Sequence, residues 1–372
     1  MDWYDLKFLE SPANLKGFIK ESIGRSPSTS VSTEISTCLQ QGRLFFEAAE
    51  NSPLEIRPLQ VFYGVVGFSK ALISARNAAS TGTLAQAHGL KDKSERNARL
   101  ENSIVSIASN GTFQQFNDTI CNLECINYFG IEHESLRLYK STDKSCMLAG
   151  KSFTLKTILS RNPNLCELYK KTFKAESECL LISLNHFHSE FVELRLDVPA
   201  YFIDRDSLKV MIEGLRAKFP FLNYWALASA QRAWNNSILI FRNHKFQPDE
   251  EFSDYRLVET DGRFKMNLAT IEQLNFATLL PSLSGGITNG TPFYISPVDG
   301  LNISEHSIMY LGLFLLSSLV RYRPDVWVHS IRGRNTPQRS SDDHCMAIIE
   351  AFLNGALSSF PRFVFDAMRV KV

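Results

Sequence analysis

The 372-residue sequence predicts an α+β protein that is predominantly α-helical, with helical N- and C-terminal regions packed around or beside a small mixed or antiparallel β region. Three observations lead there. Mostly apolar residues recur at spacings of three and four through Leu59, Phe62, Tyr63, Val66, Lys70 and Ile73. They alternate with charged residues from Val192 to Val198, and they run almost unbroken from Ile308 to Val320. A period near 3.6 marks one face of a helix, and a period of two marks a half-buried strand.

Taken in order, residues 1–52 read as a peripheral N-terminal segment of two helical pieces separated by the Ser/Thr/Pro tract Arg25 to Thr33. Residues 53–178 form a helical region. Arg57-Pro58 opens its main helix, since proline fits the first turn where no amide partner is needed. Gly64, Gly67 and Ala71 would let a second helix come close, although each glycine costs about 1 kcal/mol of helix preference. Lys91 to Glu101 is polar, and Phe153 to Phe173 reads as helix again. Residues 179–300 form an α/β region. Its strand Val192 to Val198 is ended by Pro199; Asp206 is the expected cap of a helix carrying Leu208, Met211, Ile212 and Leu215, stopped by Pro220. Asp261-Gly262 joins two hairpin arms, about 255–259 and 263–268, and Ser284 to Pro292 is a glycine-rich loop. In residues 301–372, Ser304 or Asn302 caps the apolar helix. A last helix is expected from Asp342 to Ser358, and this region should pack on the first helical one.

Composition sets the outer limits. With 44% hydrophobic and 21% charged residues the chain is neither disordered nor fibrous. Its longest apolar run, about 13 residues, is short of the roughly 20 that a membrane span requires. Met1 to Glu10 mixes acids with aromatics and lacks a basic, then apolar, leader, so a cytoplasmic location is expected. Forty basic against 39 acidic side chains create no overall field toward nucleic acid or membrane. Seven scattered cysteines fit a reducing compartment. Cys121 and Cys125, with His133 and Cys146, are better read as packing than as a zinc set, because the short C-x-x-C knuckle is missing. His186 and His188 have no third ligand nearby. No metal and no cofactor are expected.

Phosphate-loop, dinucleotide, nucleophile-elbow and H-E-x-x-H signatures are absent. Ribonucleases of the HEPN class use Arg-x4-6-His, in which arginine steadies phosphate charge and histidine assists proton transfer. Arg339 to His344 and Arg323 to His329 have this spacing, but 22 arginines and eight histidines yield about 1.4 such pairs by chance. Arg321, Arg323, Arg332, Arg334 and Arg339, against the single acid Asp325, form a candidate surface for RNA or an acidic partner, or a solvated loop. His88-Gly89 is either a turn in which glycine supplies positive φ and the histidine hydrogen-bonds the backbone, or a functional imidazole. Arg321 can satisfy helix-end carbonyls or stack on Trp327.

Two longer stretches carry a resemblance. Arg57-Pro-Leu-Gln-Val-Phe-Tyr-Gly-Val-Val-Gly-Phe-Ser-Lys-Ala-Leu72 is followed by Ala87-His-Gly-Leu90 and Asn110-Gly-Thr-Phe113. Leu315-Leu-Ser-Ser-Leu-Val-Arg-Tyr-Arg-Pro-Asp-Val-Trp327 comes later, with Phe360-Pro361 beyond it. Across residues 57–116 and 303–365 the chain resembles the YaaC-like family of uncharacterised bacterial proteins. The resemblance implies no established reaction. The expected function is a non-catalytic binding or regulatory subunit of a bacterial cytosolic assembly, with a protein partner or a second copy of itself. The alternatives are a metal-independent ribonuclease using Arg339 and His344, and a nucleotide or small-molecule sensor with a pocket near His88. Candidate binding residues are His88, Gly89, Arg321, Arg323, Trp327, Arg332 and Arg334.

Overall fold

A computed structural model describes residues 3–96, 98–123, 126–131, 134–138, 142–181, 183–187, 192–234, 236–242, 251–253, 257–261, 263–266, 283–285, 292–332 and 345–370. Helix dominates and strands are confined to antiparallel sheets, the α+β class expected. The first helices are α1 (Tyr4–Leu9), α2 (Pro12–Ile23), α3 (Thr29–Glu50) and α4 (Arg57–Asn77). After β1 (Leu90–Asp92) and β2 (Ile104–Ile107) come α5 (Thr112–Cys121), β3 (Ile126–Ile131), β4 (Glu134–Leu138), α6 (Ser145–Leu148), β5 (Ser152–Thr154), α7 (Leu155–Leu159) and α8 (Cys166–Phe173). The middle holds β6 (Cys179–Leu181), β7 (Ser183–Phe187), β8 (Val192–Val198), α9 (Arg205–Lys218), β9 (Ala226–Arg232) and β10 (Ser237–Arg242). It continues through β11 (Leu257–Thr260), β12 (Arg263–Met266), β13 (Leu283–Gly285) and β14 (Pro292–Ile295). The chain closes with α10 (Glu305–Tyr322), α11 (Pro324–Arg332) and α12 (Met346–Arg369). Two compact units result, one of residues 1–178 with 297–372 and one of residues 179–296.

In the first unit α4 is buried on nearly every side, and α3, α10 and α12 pack on it. The glycines act as their spacing suggests. A Cβ on Gly67 would sit 3.0 Å from the Gly42 nitrogen and 3.1 Å from the Cys38 carbonyl oxygen, so α3 and α4 touch backbone to backbone there. Residues 1–52, expected at the periphery, instead help to build this core. Leu9, Leu15, Ile35, Leu39 and Phe46 are completely buried, because the apolar stripe of α3 must lie on α4 to leave water. The loop expected over Arg25 to Thr33 is also shorter than its composition implied. Ser28 caps α3 by accepting from the Val31 amide at 3.2 Å, and Ser32, Thr33 and Thr37 turn their hydroxyls back onto carbonyls four residues earlier. Hydroxyl side chains satisfied in this way can stay inside a helix. Arg43 on α3 bridges Glu10 at 2.5 Å and Glu47 at 2.7 Å.

Helix α10 is buried continuously from Glu305 to Leu319, and Ser304 caps it by accepting from the Ser307 amide at 3.1 Å. Among the described residues no helix is long and apolar enough to cross a membrane. The last helix runs on to Arg369, past the Ser358 expected, with Pro361 inside it. Proline forfeits one backbone bond, but the apolar face continues through Phe360, Phe363, Val364 and Ala367, and their burial keeps the helix going.

The second unit is built on a six-stranded antiparallel sheet in the order β11-β12-β9-β10-β8-β7, with a three-stranded sheet β13-β14-β6. Leu196 pairs with Leu239, which pairs in turn with Ala230, so the alternating face read in β8 is the inward one. Glu193, an outward residue in that alternation, is instead buried and bonded to Arg242, its cross-strand partner, at 2.6 Å. Helix α9 is capped by Asp204 and not by Asp206. Asp204 accepts from the Ser207 amide at 2.9 Å while the Ser207 hydroxyl serves the Asp204 amide at 2.9 Å, a reciprocal box available only at that offset. Arg216 of α9 forms a bidentate pair with Glu251, which is fully buried.

Candidate functional site

The site forms where the loop after α4 returns across the first unit. Glu34 of α3 anchors the loop, accepting from the Ser80 hydroxyl at 2.7 Å and the Thr81 amide at 2.8 Å. The Ser80 contact leads in holding its carboxyl below the usual range. Next, Ala87-His88-Gly89 is clasped by the start of α5. The amides of Thr112 and Phe113 donate to the carbonyls of Ala87 (2.8 Å) and His88 (3.1 Å), so the loop satisfies donors that a helix N-terminus leaves open. Gly89 has φ +78°, as its turn reading required. A Cβ there would strike Gln114, whose amide nitrogen donates to the Gly89 carbonyl at 2.8 Å.

Held this way, His88 borders a cavity of about 460 Å³ between α3 and α4. Helix α4 supplies Gln60, Tyr63, Gly67 and Lys70, spaced at three, four and three along one face, with Leu59 and Val66 beside them; α3 supplies Gln41 and Phe45. Phe45 stacks on Tyr63 with centroids 5.6 Å apart and planes 28° apart, and forms an aromatic wall. The Gln60 Oε1 atom is buried and has no hydrogen-bond partner among the described residues. The imidazole of His88 is half-buried, lies edge-on to Phe62 at 5.1 Å and makes no side-chain hydrogen bond among the described residues. Burial, then Arg321, then Lys70 push its pKa below the ordinary 6.5, so it is neutral at pH 7. Arg321 lies over nearby rings, 5.9 Å from both the Phe62 and Tyr63 centroids and 4.9 Å from that of Tyr322.

His88, Gly89 and Arg321 therefore come together. Trp327 does not join them: it is fully buried, and its indole nitrogen donates to the Glu55 carbonyl at 2.9 Å. Arg323 donates to the carbonyls of Glu95 and Arg96, at 3.0 and 3.1 Å. Arg321 stacks on Tyr322 and Phe62 and not on Trp327; its Nε reaches the Ser317 carbonyl at 3.3 Å. The Arg332 side chain and Arg334, Arg339 and His344 lie outside the described residues, as do Cys125, His133 and the side chains of His186 and His188. Cys121 donates to the Thr142 carbonyl at 3.1 Å, and no group of three or more His, Cys, Asp or Glu able to hold a metal occurs among the described residues.

Reading the sequence missed Gln41, Phe45, Gln60 and the part played by Lys70. Tyr63 and Lys70 were visible only as beats of a helical period; a cation set within an otherwise apolar stripe was the available signal.

The segments that carry the family resemblance thus meet here: the α4 stretch, Ala87-His88-Gly89, Gly111-Thr112-Phe113 and the end of α10. A family model, YaaC-like Protein, matches residues 6–368, nearly the whole chain, and the protein belongs to that family. No curated protein and no solved structure matches it.

Proposed function

We propose that this protein acts by binding, as a small-molecule sensor or regulatory component of a bacterial cytoplasmic system, and that the cavity beside His88 is its ligand site. The observation that carries this is the cavity itself, of ordinary ligand size, walled by aromatic and apolar side chains with a few convergent polar groups, one of them the unserved Gln60 amide. Its walls are rigid helix faces, which hold a binding site in place with little ordering cost. The test is to fill it. Fragments found by ligand-observed NMR on the wild-type chain should lose their signal with Leu59→Trp, a half-buried lining position, while circular dichroism stays unchanged. Fragments that bind the filled variant as well as the wild type would exclude the cavity.

A second reading, membership of an assembly or self-association, is favoured by exposed apolar side chains in the second unit. Trp234 is 92% exposed and Ile203 76%, and the Trp234 carbonyl accepts from the Tyr201 hydroxyl at 2.5 Å, which holds the loop and the hairpin tip together. Surfaces of this kind mark interaction sites. A concentration-dependent mass in sedimentation, lost in Trp234→Ser, is expected under this reading; a monomer at every concentration would count against self-association.

A further inference from the structure

We infer that the ligand of the His88 cavity is an organic carboxylate carried on a flat, mostly apolar body; the inference rests on the cavity reading above and specifies its ligand class. Charge comes first. Lys70 lines the cavity and Arg321 lies against the Tyr63 ring at its edge, yet neither makes an ion pair among the described residues, and no carboxylate lines the cavity. Glu34, the acid of α3 that anchors the loop leading to His88, is already engaged by Ser80 and Thr81. A half-buried cation without a counter-ion is costly, and an anion bound in the cavity at Lys70, with Arg321 nearby, relieves that cost.

The size and the walls exclude a bare ion. About 460 Å³ is far more than an inorganic anion occupies, and the Phe45–Tyr63 wall offers an offset-stacking surface to a planar ring. Donor geometry favours carboxylate over phosphate. From Tyr63 to Lys70 the backbone amides of α4 are spent within the helix, so the cavity has no nest of free N–H groups of the kind that usually cradles phosphate. What remains in the lining is a lysine, two glutamine amides and a neutral imidazole, with Arg321 beyond the Tyr63 ring, a set suited to one carboxylate and one further polar substituent near Gln60.

Calorimetric titration of the full chain at pH 8 with 1-naphthoate, its neutral amide and the cationic 1-naphthylmethylamine tests this. Naphthoate should bind about tenfold or more tighter than the amide, as expected of a charge-assisted contact, and the amine should not bind. Lys70→Gln should reduce naphthoate to the level of the amide and leave the amide unaffected, whereas Tyr63→Ala should weaken both. An amide that binds as tightly as the acid, or an acid-to-amide ratio unchanged by Lys70→Gln, overturns the anion inference and leaves the cavity reading standing. Phenyl phosphate outcompeting naphthoate overturns the carboxylate assignment. Failure of every probe to bind removes the cavity reading itself.

Discussion

The two units illustrate two ways of building a dense interior. In the first, α3 and α4 come together because side chains are missing: Gly42 and Gly67 bring the two backbones into contact, while the buried Arg43 is paired with Glu10 and Glu47, whose side chains keep some exposure to water. In the second, a complete ion pair lies inside: Glu251 is fully buried and receives two guanidinium nitrogens of Arg216 and the Leu227 amide. An interior of the first kind is sensitive to added volume. One of the second kind is sensitive to a lost partner, because the charge left behind has no water to turn to. The contrast also explains where a ligand site can sit, since two helices drawn together by glycine at one point leave a gap where larger side chains hold them apart.

The sharpest way to break the comparison is Glu251→Ala, which strands the Arg216 guanidinium and should cost about 3–5 kcal/mol in urea unfolding. The double variant Arg216→Met/Glu251→Leu should recover most of that loss; if it is as unstable as the single change, the pair is not the cause. In the first unit Gly67→Val forces the α3 and α4 backbones apart and should cost about 2–3 kcal/mol, seen as a lower urea midpoint. An unchanged midpoint would mean that the close approach carries no weight. Gly89→Ala is expected to cost about 1–2 kcal/mol, because alanine resists φ +78° and its methyl displaces Gln114, and thermal melts would show it.

The smallest effect separates the units by pH. His88 has a folded pKa below its unfolded value of 6.5, so the unfolded chain binds the proton more readily in between. Its contribution to stability is complete above 6.5 and is lost as pH falls through the lower folded value. His88→Gln should flatten that part of the stability curve, and a slope identical to wild type would show that the imidazole is not shielded from water.

Much of the fold is legible in the sequence. The three-and-four spacing from Leu59 to Ile73, the alternation in β8 and the serine before α10 each mark structure through local periodicity or capping, which a linear pattern records directly. Other features were not legible for definite reasons. Composition made Arg25 to Thr33 look like loop because hydroxyl residues usually compete with helix, and only back-bonding to the preceding turn shows that here they do not. Asp206 is the expected cap by residue type alone, and the reciprocal bonds with Ser207 give that role to Asp204 instead. The candidate site was half visible: His88, Gly89 and Arg321 stood out, but nothing in one dimension pairs Lys70 with a histidine 18 positions on or with Phe45 of another helix.

The sequence by itself determined the helix-dominated α+β class, the family and the close-packing glycines of α4, because those depend on side-chain size and period within a single segment. Tertiary structure alone decided that α1 to α3 belong to the core, that Glu193 and Glu251 are buried with their arginines, and that Lys70 and His88 line one cavity while Arg321 lies against its Tyr63 ring. Burial and charge pairing depend on distances between segments far apart in the chain, and those distances exist only once the helices have packed.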